Sequence, residues 1–218
     1  MFLFKLWPWF EANRKQVIIG ASIIAALVVV LSFWSWQREQ KQIYAGESLT
    51  QLSLTIPPNA TVSQIGDLYL KVASDHPDTL AGERALMQGA ATLFAAGRYD
   101  DALTQFQKYL EVHPDGFLTT TARLGIASSL EAQGKTDAAV AAYQKVIGGS
   151  SDAMAVIVAK FALARISEQQ GKLTDAMNYY EDVGRAASPN SSIASEARMR
   201  VSEINMKLPA AQPAVINP

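Results

Sequence analysis

The chain has 218 residues, 49% of them hydrophobic and 18% charged, with a formal net charge of −1 and no cysteine. The lack of cysteine excludes disulfides and cysteine-ligated zinc, and it is compatible with an oxidising compartment. Charge is unevenly spread: the first 44 residues hold five Lys/Arg against two Asp/Glu, the rest fourteen against eighteen. The main body is therefore mildly acidic and lacks the clustered cations that nucleic-acid binding requires, so no nucleic-acid partner is expected.

Residues 1–16 carry Lys5, Arg14, Lys15, Trp7, Trp9 and Phe10. They are followed by the uncharged run VIIGASIIAALVVVLSFWSW at 17–36. At about 1.5 Å per helical residue, such a run crosses the roughly 30 Å hydrocarbon core of a bilayer. Trp34 and Trp36 close it, and aromatic rings favour the headgroup layer. A cleaved signal peptide has a shorter apolar core and small residues at its cleavage site; here Gln37, Arg38 and Glu39 follow Trp36. The reading is an uncleaved transmembrane helix contacting the lipid bilayer through residues 17–36. The larger basic count before the span favours a cytoplasmic N-terminus, which translocates the remainder.

Helices are expected near 17–43, 61–75, 80–96, 99–112, 118–133, 136–147, 153–170, 173–186 and 191–207. Residues 37–60 read as an exit helix and tether, with the tether across 45–60 around Pro57-Pro58; Gly148-Gly149-Ser150-Ser151 reads as a loop. Residues 61–207 form the main domain, and 208–218, with three prolines and no charge, a flexible tail.

A repeat organises the main domain. Gly97, Gly134 and Gly171 lie 37 residues apart, as do Phe106, Tyr143 and Tyr180; His76-Pro77-Asp78 recurs as His113-Pro114-Asp115. A fixed period in this range marks a stacked helical solenoid. The glycines suit left-handed helix ends. Asp100 or Asp101, Asp137 and Asp175 suit the first turn of the next helix, where a carboxylate meets free amides. Ala102, Ala139 and Ala176 permit close approach, and the aromatic four residues on fills the space beside each. Both histidines precede proline and read as helix-terminal residues. Nothing in the chain has the spacing of a phosphate loop, a zinc-protease motif or a nucleophile elbow, so no catalytic, cofactor-binding or metal-binding residue is expected and the chain does not read as an enzyme.

The small residue, the aromatic four later and the closing proline (Ala102, Phe106, Pro114) resemble the tetratricopeptide repeat (TPR) family, with a 37-residue period in place of 34 and Leu86 where the first helix usually has tryptophan. The resemblance implies an all-α hairpin solenoid behind the membrane helix, whose first helices line a concave face that grips protein or polypeptide partners. Carried through the interval, it puts Arg84, Met87, Phe94, Leu124, Phe161, Arg165 and Arg198 on that face. The apolar members suit a core equally well, and helical spacing does not separate the two. A single-pass anchor joined directly to such a domain resembles the ancillary subunits of the bacterial Sec translocon. This implies an inner-membrane protein with a periplasmic domain that works with the export channel and periplasmic chaperones. The alternative is an envelope scaffold coordinating cell-wall or outer-membrane machinery.

Overall fold

The computed structural model describes residues 13–207, and within them the protein is all α-helix. The expected N-terminal aromatic flank and the expected tail at 208–218 lie outside the described residues.

The first helix, α1 (Arg14–Thr55), is the longest, at 42 residues. Its apolar half packs against no other described part of the chain: Ile24, Val29 and Trp34 are all more than half exposed. The expected end near residue 43 is corrected, because nothing between Gln37 and Thr55 breaks a helix. Termination comes at Pro57 and Pro58. Ile56 sits at φ −55°, ψ 123°, the extended geometry forced on a residue that precedes proline. The expected tether shrinks to the few residues before α2 (Val62–Asp75).

From there the chain makes hairpins: α3 (Leu80–Ala95) with α4 (Tyr99–Val112), α5 (Thr119–Ala132) with α6 (Thr136–Gly149), and α7 (Ala153–Gln169) with α8 (Leu173–Ala186). The single helix α9 (Ser192–Lys207) closes the row. The expected glycine loop is also corrected, since α6 runs through Gly149 and only Ser150 and Ser151 remain non-helical.

The repeated glycines do what their spacing implies. Gly97, Gly134 and Gly171 have φ of +78°, +73° and +72°. At each, two amides reach back across the helix end, as when Arg98 N donates to Leu93 O and Gly97 N to Phe94 O, at 2.9 and 3.0 Å. N-termini are capped by side chains at Thr61, Thr79 and Asp152. His76 and His113 are the C-caps of α2 and α4.

Burial follows the 37-residue interval. Ala102, Ala139 and Ala176 are wholly buried, and Phe106, Tyr143 and Tyr180 beside them are at most 4% exposed. Each hairpin thus closes its own apolar cluster and shares it with the next first helix, through Ala122 on α5, Ala159 on α7 and Ala197 on α9.

Alternate helices run in the same direction. Glu83 near the start of α3 meets Tyr109 near the end of α4, which also meets Leu118 just before α5. Thr120 of α5 likewise meets Ser150 after α6, at 3.4 Å. The last turns of α1 stand where a first helix would: Gln42 accepts from Leu80 N at 3.0 Å, His76 is hydrogen-bonded to Ser48 at 3.1 Å, and Ala45 is fully buried. One continuous helix thus serves as the apolar N-terminal segment and as the first helix of an additional hairpin with α2.

Candidate functional site

Three first helices, α1, α3 and α5, enclose a groove of about 630 Å³. Leu49 and Ser53 of α1 form one wall, with Tyr69 of α2 beside them. Met87 and Ala91 of α3 lie along the middle, and Leu118, Thr121 and Leu124 form the far wall. The floor is shaped by a missing side chain: a Cβ on Gly125 would lie 2.5 Å from the Phe106 ring, so only glycine lets that ring lie flat beneath the groove.

The rim is polar at a few points. The Arg84 guanidinium lies 5.8 Å over the Phe117 ring, itself 58% exposed. No carboxylate among the described residues pairs with Arg84. Gln88 and Ser128 add amide and hydroxyl groups. A mostly apolar trough with one available cation at its edge can hold an apolar polypeptide segment and position a carboxylate on it. Among the described residues no group of acids and histidines has the arrangement of a metal site.

The structure gathers Arg84, Met87 and Leu124 around this groove and places the other four expected residues elsewhere. Phe94 packs on Tyr99 at 5.2 Å, bracing the turn from α3 into α4. Phe161 meets the edge of Tyr180 at 5.4 Å inside the last cluster. Arg165 Nη2 donates to Glu131 Oε1 at 2.6 Å, and the other oxygen of that carboxylate accepts from the Tyr143 hydroxyl at 2.8 Å. Arg198 Nη2 donates to the Pro189 carbonyl at 2.6 Å. Met87 is only 6% exposed, so it belongs to the core as much as to the trough.

The tyrosine contacts recur with the repeat. Tyr180 donates to Glu168 at 3.2 Å, 37 residues beyond the Tyr143–Glu131 pair, and Lys207 reaches Glu168 from α9 at 3.8 Å. A second-helix phenol, a first-helix carboxylate and a cation from the following first helix tie successive units together. Burial raises the pKa of all three buried phenols, with a smaller push from the neighbouring glutamate in each case: Tyr109 and Tyr180 go up to about 12, and Tyr143 moves in the same direction.

Sequence reasoning missed Leu49, Ser53 and Phe117. The signal for the first was present: stepping the 37-residue interval back from Leu86 lands on Leu49, an apolar residue in the segment read as tether.

A row of parallel first helices braced by second helices, with a groove on the first-helix side, defines a helical-repeat interaction scaffold. The tetratricopeptide repeat-like domain family matches residues 8–155, well over half of the chain, and the protein belongs to it. No curated protein matches the sequence. Among solved structures the chain is similar to nearly identical TPR-like repeats of a protein described as a kinesin light chain from Podosopora anserina. The TM-score is 0.54 and the identity 13%, over 78% of this chain and 85% of that one. A second structure of those repeats matches at a TM-score of 0.53 and 13% identity, over 78% and 86%. At this identity the likeness concerns the fold.

Proposed function

We propose that the protein is a membrane-anchored interaction module. α1 spans the inner membrane from a cytoplasmic N-terminus, and the solenoid stands in the periplasm and grips polypeptide segments in the groove between α1, α3 and α5. In this reading it assists protein export, receiving chains or chaperones beside the Sec translocon. The observation that carries the proposal is the dual character of α1: among the described residues it is the one helix long and apolar enough to cross a membrane, none of its apolar stretch is buried, and its last turns form a groove wall. A partner held there is held at a set distance from the bilayer.

The test compares two charge reversals in the full chain. Arg84→Glu removes the available cation and leaves the fold within about 0.5 kcal/mol, because its side chain is exposed, forms no ion pair among the described residues and touches only the exposed Phe117 ring through its charge. Arg165→Glu confronts Glu131 with a like charge and lowers stability by about 1 kcal/mol, a screened value because Arg165 is half exposed. The expected result is loss of co-purifying translocon subunits or chaperones from mild detergent in Arg84→Glu at an unchanged melting temperature. Undiminished capture of those partners by Arg84→Glu would remove the groove from the proposal, and recovery of cell-wall or outer-membrane machinery instead would favour the envelope-scaffold reading.

A further inference from the structure

The first helices begin on one edge of the solenoid, and that edge carries a row of exposed apolar side chains. Ile43, Leu80, Phe117 and Met154 are spaced by 37 residues and are 46%, 55%, 58% and 58% exposed. Scattered apolar residues on a surface call for no explanation. Four at one repeat position, all on one edge, form a stripe that stays exposed, with Phe117 also lying under Arg84 at the groove rim.

The path of α1 gives this edge a direction. α1, α3, α5 and α7 run the same way, and α3 starts level with Gln42, through the Leu80–Gln42 hydrogen bond. Gln42 lies six residues past Trp36, or about 9 Å along an unbroken helix. The headgroup layer outside the hydrocarbon core is roughly 5–8 Å deep. The starting edge of the solenoid therefore reaches the outer boundary of that layer, with large apolar side chains projecting from it. Between α1 and the α2–α3 loop, Trp34, Arg38, Lys41 and Asp78 border an open space of about 600 Å³. Neither cation pairs with Asp78.

We infer that the solenoid docks along this edge on the bilayer that α1 crosses, with Leu80, Phe117 and Met154 seated among the headgroups. The inference rests on the anchor reading. The charges on the edge indicate which surface it fits. Arg38 and Lys41, next to the span, meet lipid phosphates. Asp78, which borders the same space as these cations, and Asp115 and Asp152 farther along the row each precede an apolar member of the stripe by two residues. Exposed carboxylates in that position, Asp152 through the oxygen that does not cap α7, repel an anionic surface and accept hydrogen bonds from primary ammonium groups, so the matching surface is zwitterionic and bears ethanolamine headgroups. Docking lays the row of hairpins along the membrane instead of letting it swing about α1.

The absence of cysteine permits a direct test in the full chain. Single cysteines at Pro114 and Ser151, exposed neighbours of the stripe, receive a fluorescent label. Leu27→Cys reports the span, and Lys135→Cys reports the far edge. The protein is reconstituted into vesicles of phosphatidylcholine and phosphatidylethanolamine that carry a headgroup nitroxide. For labels at 114 and 151 the expected result is strong quenching, absent at 135 and abolished by the Leu80→Ser, Phe117→Ser, Met154→Ser triple variant. All three positions are exposed, so that variant keeps its fold, verified by circular dichroism. If chain labelled at Leu27 floats with the vesicles while 114 and 151 remain unquenched, docking is overturned and the anchor stands. Failure of every labelled chain to float overturns the anchor, and the inference with it.

Discussion

A buried phenol loses its proton only by creating a desolvated anion, and here each buried phenol also faces a glutamate. Tyr109, Tyr143 and Tyr180 are nearly solvent-free, and their hydroxyls meet Glu83, Glu131 and Glu168. An unfolded tyrosine ionises near pH 10. The folded values for Tyr109 and Tyr180 reach about 12, so folding favours the neutral form. Their contribution to stability is complete below about pH 10 and is lost as the pH rises through about 12. A spectrophotometric titration should show the phenolate absorbance of Tyr109 and Tyr180 appearing only as the pH approaches about 12, with unfolding setting in between those values. Ionisation of Tyr109 and Tyr180 near pH 10 in a folded chain would contradict the burial. The repeat made Tyr143 and Tyr180 legible as packing residues; Tyr109, three residues past Phe106, stands outside the repeated aromatic column, where the later units have Val146 and Val183. The carboxylate partners of the tyrosines were not legible: Glu83 and Tyr109 stand 26 positions apart, a separation that carries no local signal.

Among the elements, α1 departs furthest from expectation, and the reason is physical. The apolar run stops at Trp36, but helix does not, since hydrophobicity decides where a helix is buried and proline decides where it ends. The segment 43–55 has no strong apolar face by itself. It becomes a first helix because α2 and α3 supply a surface, with Ala45 wholly buried there and Ser48 tied to His76. A fragment beginning at residue 45 should therefore melt as a complete solenoid. One beginning at 57 should lose about 1–3 kcal/mol, the scale of a vacated packing site. Equal melting of the two, followed by circular dichroism, would mean that the last turns of α1 only rest on the domain.

At the scale of the molecule, the proposed groove, docking edge and anchor share one helix, so under the anchor proposal orientation in the membrane determines which compartment the groove faces. Arg14 and Lys15 precede the span, and the orientation bias is counted close to it. A reporter fused after Pro218 should be active only in its translocated form. Neutralising Arg14 and Lys15 should produce a mixed population, measured by protease access in spheroplasts. Full protection of the solenoid in the parent chain would place it in the cytoplasm and withdraw the periplasmic part of the proposal.

The sequence by itself determined the period, the class of fold and nearly every helix boundary, because glycine caps, first-turn acids, small residues and closing prolines act within a turn or two of where they stand. It also marked Ala102, Phe106 and their repeats as core, since helical phase is a local property. Only the tertiary structure decided which first-helix residues share a groove. Arg84, Met87 and Leu124 converge there, while Arg165 is drawn away by Glu131, 34 positions earlier, and Phe161 by Tyr180. Those outcomes depend on the angle at which one hairpin stacks on the next, and that angle is set by all the side chains at the interface together.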